Sequence, residues 1–342
     1  MIRKIVVNAR YRLRPTTGVE RYAQEIVSRW GPAAWAVEPP RWALGIKGHL
    51  WEQGVLPLQL GSEDILWSPA NSGPILAKRQ VLSLHDVSVL EHPEWFSRSF
   101  SRWYRILIPK LIRRVRKIIT DSEFSKQRIL ELFDLESRAV IVINPGVDHK
   151  LFHPQSDDNI QAVLSRYKLK PDYILSVGSI EPRKNYSRLI IAWNSLTEKY
   201  PELMLVIIGR RRGNFRPLNM ALMPGSVKIL EGVDDDDLAS LYAGAAFCVF
   251  PSIYEGFGLP LLEAMACGTP VIASDIPAFT EVTGEAAWAI DPLDTDSMAE
   301  ALENLIGDIK LRKQMRERGF EQVEQFSWEQ TAEAIWEVCN NV

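Results

Sequence analysis

The chain has 342 residues, 46% of them hydrophobic and 24% charged, with a formal net charge of −3. This is the profile of an ordinary soluble globular protein, long enough for two domains of about 100–200 residues each. No stretch approaches the roughly 20 apolar residues of a helix that spans a bilayer. Cys248, Cys267 and Cys339 are far apart and odd in number, so they form neither a zinc pattern nor a disulfide framework and read as thiols in a reducing compartment. The N-terminal "MIRKIVVNARYR" has no long apolar core or cleavage site of a signal peptide. A cytoplasmic protein is expected, or one peripheral on the inner face of the cell membrane.

In chain order, "KIVVNA" (4–9), "DILWSP" (64–69), "QVLSLHD" (80–86), "KIIT" (117–120) and "AVIVIN" (139–144) read as strands, separated by helical patterns such as 18–30 and 122–134. Alternation of this kind predicts βαβ units and a parallel sheet. At "NPGVDHKLFHP" (144–154) a turn-rich connection interrupts the pattern. It restarts with strands at 173–179, 203–209, 227–232, 245–252 and 270–274, and helices near 185–199, near 235–245 and from about 259. The tail 326–342 reads as one amphipathic helix, with Phe326, Ala332, Ile335, Trp336 and Cys339 at helical spacing. The expectation is an α/β chain of two Rossmann-like parallel-sheet domains, 1–150 and 151–325, with the C-terminal helix 326–342 crossing back to the first. Open parallel sheets bind ligands beyond the C-terminal ends of their strands, which suggests a cleft between the domains.

The stretch "YEGFGLPLLEAMACGTPVIASD" (254–275) carries the densest chemistry. An apolar strand ends just before it, Gly256 and Gly258 permit close backbone approach, and Pro260 suits the start of a helix. A helix N-terminus suits a phosphate, yet Glu255 and Glu263 bracket it. Carboxylates that accept hydrogen bonds from neutral hydroxyls would resolve the conflict. A nucleotide-sugar has that layout, with sugar hydroxyls at one end, a ribose diol at the other and phosphates between. The ordinary alternative is that Glu263 complements the helix dipole and Glu255 is solvated.

"EGFGLPLLE" with "GTPVIASD" resembles the E-x7-E signature of retaining nucleotide-sugar glycosyltransferases, most of all family 4, which has the two-domain GT-B fold. "TGVERY" (17–22), "LHD" (84–86), "DSEFSKQRI" (121–129), "NPGVD" (144–148), "VGSIEPRKN" (177–185) and "FSWEQTA" (326–332) fit the same pattern in order and spacing. "WEQGVLPLQL" and "LHD" resemble a mannosyltransferase-like branch. The resemblance implies that Glu255 faces the donor sugar hydroxyls, that the amides near Gly256, Phe257, Gly258 and Leu259 hold sugar and phosphate, and that Glu263 accepts the ribose hydroxyls. It matches Arg183 and Lys184 to a basic pair on the diphosphate, behind the strand end at Gly178. It places His85 beside the donor sugar and the reacting centre, and Gly18 in the first βα loop, close to the diphosphate.

Residue chemistry supports the basic pair separately. A departing nucleoside diphosphate needs fixed positive charge, and Arg183–Lys184 reads as the one place in the second half where adjacent charges follow a strand. Alternatives stand beside each assignment: a solvated Arg-Lys pair, a structural histidine, an ordinary turn glycine. The implied function is retaining, metal-independent transfer of a hexose from a UDP- or GDP-linked donor, UDP favoured, to a saccharide or lipid-linked saccharide in polysaccharide biosynthesis. The rivals are a nucleotide-sugar epimerase of the same fold and a non-catalytic nucleotide-sugar-binding homologue.

No cofactor, metal or nucleic-acid partner is expected. "DDDD" (234–237) has D-x-D spacing but opens a helix, where aspartates cap. His149 and His153 lie in the proline-bounded linker without a third ligand. The acid-free segment 98–117, with eight Arg and Lys residues, reads either as a basic amphipathic surface for an anionic membrane or as a core-facing helix with a solvated face. Pro109 is expected to kink or divide it.

Overall fold

The structure, a computed structural model, describes residues 4–216 and 225–342. It divides into two units: the first comprises 1–93, 98–146 and 326–342, and the second 94–97 and 147–325.

The first unit holds β1 (Ile5–Asn8), α1 (Gly18–Trp30), β2 (Ala34–Val37), α2 (Ile46–Gly54), β3 (Ile65–Ser68), β4 (Gln80–Ser83), α3 (Ser88–Glu91), α4 (Arg98–Ile112), β5 (Lys117–Thr120), α5 (Glu123–Phe133) and β6 (Val140–Val142). Its six strands pair in parallel in the order β2-β1-β3-β4-β5-β6. β1, β3 and β4 are buried along their whole length, as strands covered on both faces must be. The second unit holds α6 (Asp157–Tyr167), β7 (Ile174–Val177), α7 (Tyr186–Asn194), β8 (Leu205–Ile208), β9 (Val227–Leu230), α8 (Asp235–Ala243), β10 (Phe247–Phe250), α9 (Leu259–Ala266), β11 (Val271–Ser274), α10 (Pro277–Thr283), β12 (Ala287–Ile290), α11 (Thr295–Gly307) and α12 (Ile309–Val323). Its parallel order, β12-β11-β10-β7-β8-β9, is that of a doubly wound Rossmann sheet. Its core places Leu189, Ile190 and Trp193 of α7 and Met298 and Leu302 of α11 together with the buried strand residues Ile174, Ile207 and Phe247. Full burial of each such side chain contributes about 1.5–3 kcal/mol, and here it fixes α7 directly behind the loop that leaves β7.

Two edge strands, β2 "AWAV" and β12 "AWAI", lie outside the predicted set. Both are short, alanine-rich and partly exposed, so they carry little apolar signal. The basic segment also differs from expectation. α4 runs through Pro109 without division. Leu107 and Ile108 before the proline and Leu111 and Ile112 after it are all buried on one face. Their burial offsets the roughly 3 kcal/mol that an interior proline costs a helix. Residues 94–97 join the second unit through an antiparallel bridge between Phe96 and Phe215, backed by Ser97 N–H to Asn214 O at 2.8 Å and Arg216 N–H to Trp95 O at 2.9 Å.

The last helix, α13 (Trp328–Asn340), belongs to the first unit and packs on α1. The Trp30 indole N–H donates to the Ala332 carbonyl at 2.9 Å, and the rings of Trp30 and Trp336 meet edge to face at 5.2 Å. Thr331 Oγ1 donates to the Asn144 carbonyl at 2.7 Å. Gly146 makes this docking possible, because a Cβ there would lie 2.1 Å from the Trp328 backbone nitrogen. Gly146→Ala should therefore lower stability by about 2 kcal/mol or more through overpacking against rigid backbone, read as a lower urea midpoint; an unchanged midpoint would mean that α13 docks elsewhere.

Candidate active site

In the second sheet the chain passes from β7 outward to β8 and β9, then returns to place β10 on the other side of β7. That reversal is a topological switch point, where the loops leaving two neighbouring strands diverge and leave a crevice. The loops concerned are 178–185, after β7, and 251–258, after β10. They are stitched together by Ile253 N–H to Arg183 O at 2.9 Å and by Asn185 Nδ2 to Pro251 O at 3.0 Å.

Four predicted or newly found charges converge there. Arg183 Nε donates to Glu181 Oε1 at 2.6 Å, and Arg183 Nη1 donates to Glu255 Oε2. Lys184 Nζ lies 2.6 Å from Glu255 Oε1. Both carboxylates are buried, at 1% exposure for Glu181 and 6% for Glu255. Burial pushes the Glu255 carboxyl up, but Arg183 and Lys184 outweigh it and hold Glu255 below the ordinary glutamate range. For Glu181 burial wins over the same two cations, with repulsion from Glu255 added, and its carboxyl is raised. Adjacent carboxyls driven in opposite directions are typical of sites that bind charge or move protons.

The structure brings the rest of the 254–263 segment to this place. Gly258 is the residue before α9, with φ of 141°, and a Cβ on it would meet Leu261 Cδ1 at 2.7 Å. No side chain caps the helix, whose first turn carries Pro260 one residue inside the start. The amides of this turn are the anion-attracting end expected from the sequence. Gly256, Phe257 and Leu259 lie along the same turn, and Gly178 lies at the end of β7, its carbonyl accepting the Tyr186 hydroxyl at 3.0 Å. Glu263 sits on the inner face of α9, 6% exposed, and accepts a hydrogen bond from Tyr242 Oη at 3.1 Å.

Two residue sets escaped the sequence reading. Glu181 was quoted within "EPRKN" but given no role, because nothing local says that its side chain turns inward. Arg210, Arg211 and Arg212 follow β8 directly, so Arg183–Lys184 is not the one pair of adjacent charges at a strand end in this half. The backbone of Ile180 pairs with this run, Ile180 N–H donating to Arg210 O at 3.0 Å. The run "GRRR" after an apolar strand was the available signal.

His85 and Gly18 belong to the first unit. Gly18 is not a loop residue but the first residue of α1. Thr17 is the residue before the helix, and its hydroxyl bonds the Glu20 carboxylate in the first turn rather than a backbone amide. His85 follows β4 and is held at every polar atom. Its backbone N–H donates to Asn71 Oδ1 at 2.7 Å, and its carbonyl accepts Ser125 Oγ at 2.9 Å. Nδ1 lies 2.7 Å from Asp121 Oδ2, and Nε2 lies 2.8 Å from the Pro69 carbonyl. Both ring nitrogens thus face acceptors, an arrangement that favours the doubly protonated ring. Burial works against a charged ring, but Asp121 and the Pro69 carbonyl outweigh it and raise His85 above its ordinary value.

The aspartate run 234–237 acts as a cap. Asp234 Oδ1 accepts the Asp237 amide at 2.8 Å, and Asp237 binds Arg166 Nη1 at 2.6 Å and the Tyr167 hydroxyl at 2.8 Å.

Comparison with known proteins places this geometry. Residues 158–322 match the family described as Glycosyl transferases group 1, and 64–151 match Glycosyltransferase Family 4. O-antigen chain mannosyltransferase B of Escherichia coli is 32% identical over 265 residues, covering 75% of this chain and 68% of that protein. The chain is a family 4 glycosyltransferase. O-antigen chain mannosyltransferase RfbU of Salmonella typhimurium is 29% identical over 251 residues, covering 72% of this glycosyltransferase and 66% of RfbU. The HepE protein of Anabaena, solved with UDP-glucose, superposes with a TM-score of 0.78 over the whole of both chains at 16% identity. WaaG, solved as a glycosyltransferase of lipopolysaccharide biosynthesis, does so at 0.76 over 98% and 99% of the two chains, also at 16% identity. These likenesses establish the GT-B fold, and the relatives make this glycosyltransferase a hexosyltransferase.

The His85–Asp121 pair gives a pH signature. A raised histidine contributes stability that is complete below its unfolded value near 6.5 and is lost as pH rises through the folded one. Asp121→Asn, which strands a buried imidazolium, should cost about 3 kcal/mol at pH 6 and less at pH 9, seen as converging melting temperatures; a constant gap across that range would count against the imidazolium.

Proposed function

We propose that this glycosyltransferase moves a hexose, with retention and without a metal ion, from a nucleoside diphosphate donor to a saccharide or lipid-linked saccharide in polysaccharide biosynthesis. The observation that carries the reading is the Arg183–Lys184–Glu255 cluster at the β7–β10 switch point, beside the uncapped start of α9. In this reading the second unit holds the donor and the first, with α13, holds the acceptor.

The chemistry follows from charge. As the glycosidic bond breaks, negative charge builds on the departing diphosphate. Arg183, Lys184 and the amides near Gly256, Phe257, Gly258 and Leu259 supply fixed positive potential there, the kind of stabilisation that catalyses without reorganising. Glu255 accepts hydrogen bonds from the sugar hydroxyls, and Glu263 from the ribose. Gly178 keeps the backbone thin at the end of β7, next to the diphosphate. The acceptor hydroxyl attacks on the face that the diphosphate leaves, and the leaving oxygen takes its proton, so retention needs no protein nucleophile. Metal independence is supported by Asp234 and Asp237, which are engaged as helix cap and ion pair. The mannosyltransferase relatives support mannose as the hexose. The structural relative bound to UDP-glucose keeps a UDP-sugar as the first donor to test, ahead of a GDP-sugar.

A membrane surface is proposed for α4. Arg98, Arg102, Arg105 and Lys110 are exposed while Tyr104, Leu107 and Leu111 are buried, so the basic face is turned outward. No helix among the described residues is long and apolar enough to cross a membrane. Each Lys or Arg near an anionic surface contributes about 1 kcal/mol. Arg102→Glu with Arg105→Glu should reduce co-sedimentation with vesicles containing anionic lipid at least tenfold by that arithmetic, while neutral vesicles bind neither form.

Glu255→Ala and Lys184→Ala should each slow transfer by about tenfold or more, ~1.4 kcal/mol of barrier, measured as nucleoside diphosphate released in the presence of acceptor. Near-wild-type rates in both would remove the site assignment, and conversion of donor without acceptor would point to an epimerase. Thermal shift with UDP-, GDP- and ADP-sugars selects the base, since a ligand of the native state raises its stability by mass action.

A further inference from the structure

Glu181 has the most unusual electrostatic position in the second unit. It is 1% exposed. Its Oε1 accepts Arg183 Nε at 2.6 Å, while Oε2 is buried with no hydrogen-bond partner among the described residues. A buried acceptor left unmatched costs about 1–3 kcal/mol and calls for an explanation. The groups around it are few. Arg183 and Lys184 lie on its own turn, and Glu255 comes from the loop after β10. From α7, Tyr186 spends its hydroxyl on Gly178 O, and Arg210 and Arg211 at the end of β8 are exposed and make no ion pair with it among the described residues.

The charges in this cluster already cancel. Glu181 and Glu255 balance Arg183 and Lys184, so a diphosphate with two negative charges would meet a four-residue cluster with no net positive charge. One proton would ease that conflict. Glu181 Oε2 and Glu255 Oε1 both lack a hydrogen bond among the described residues, but Glu255 Oε1 stands 2.6 Å from Lys184 Nζ, which leaves Glu181 Oε2 as the better recipient. Glu255 is a poorer recipient, since both of its oxygens face a cation. Burial already raises the Glu181 carboxyl, and a diphosphate nearby raises it further.

We propose that Glu181 is a positioning residue: Oε1 holds the Arg183 guanidinium in place, and Oε2 takes one proton from solvent when the donor diphosphate binds. The step is a simple protonation. Carboxylate and proton become a carboxylic acid, Oε1 stays a carbonyl acceptor for Arg183 Nε–H, and the four-residue cluster goes from neutral to a charge of plus one. The inference rests on the donor-site reading given above. It adds that donor affinity is tied to pH through a residue that need not touch the donor.

Calorimetry tests it on the full-length protein with UDP-glucose and GDP-mannose, whose diphosphates exchange no proton near neutrality. In two buffers of different ionisation enthalpy, wild type should show uptake of up to one proton, and affinity should rise as pH falls from about 8 to 6, by at most ~tenfold per pH unit. Glu181→Gln copies the protonated group, so it should bind with no buffer dependence and a flat pH profile. Glu181→Ala loses the hold on Arg183 and should bind about tenfold more weakly than the Gln variant, ~1.4 kcal/mol. Buffer-independent binding by wild type overturns the proposal, as does uptake that persists in Glu181→Gln, which would assign the proton to Glu255. Equal affinities of the Ala and Gln variants would overturn the positioning role. Should the variants fail to fold, the wild-type measurement decides alone. If wild type binds neither sugar nucleotide, the donor-site reading itself fails and this inference goes with it.

Discussion

The Arg183 guanidinium held between the Glu181 and Glu255 carboxylates is the interaction on which the second unit's site depends. Each carboxylate comes from a different loop, one after β7 and one after β10, and these loops are separated by some 70 residues of sequence, the separation of 181 from 255. Taking such groups out of water is expensive, and only good pairing geometry recovers the cost. The pairing therefore dictates how close the two loops stand. The backbone bond from Ile253 to Arg183 and the Asn185 amide bonded to both Pro251 and Pro292 hold that distance. The start of α9, fixed by the loop after β10, is thereby set beside the two cations.

The first unit uses the same device at a strand end. His85 lies between Asp121, at the end of β5, and the carbonyl of Pro69, at the end of β3. The Tyr22 ring of α1 stands edge-on to the imidazole at 4.6 Å. Three strand-end loops and one helix are so joined around one imidazole. The sheet edges need no such ties: β2 and β12 lie outside both constellations, where partly exposed alanine and tryptophan suffice. Charge is concentrated at the C-terminal ends of central strands, where a doubly wound sheet leaves room for a ligand. That coincidence of fold and charge suits a hexosyltransferase, whose transition state carries its negative charge on a leaving phosphate.

Much of this was legible in the chain. β1, β3, β7, β8, β10 and β11 read as largely apolar runs bounded by turns, because strands buried on both faces are apolar along most of their length. The E-x7-E spacing around Gly258 marked the start of α9 and both glutamates. Other features had no local signal. β2 and β12 take their strand character from a neighbour's ladder rather than from their own residues. Pro109 reads as a kink or a division, yet α4 is one helix through it, with Leu107, Ile108, Leu111 and Ile112 buried on either side. Gly18 reads as a loop residue, yet α1 begins at that point.

By itself the sequence determined the alternation of strands and helices, the family signature, and which residue types sit at strand ends, since periodicity and spacing are local properties of the chain. Tertiary structure decided which of those charges meet. The inward turn of Glu181, the sharing of Arg183 between two loops, the approach of α13 to Gly146 and the setting of His85 between two acceptors all depend on pairs distant in sequence. Their energies come from burial and charge pairing, and neither exists until the strands are in register.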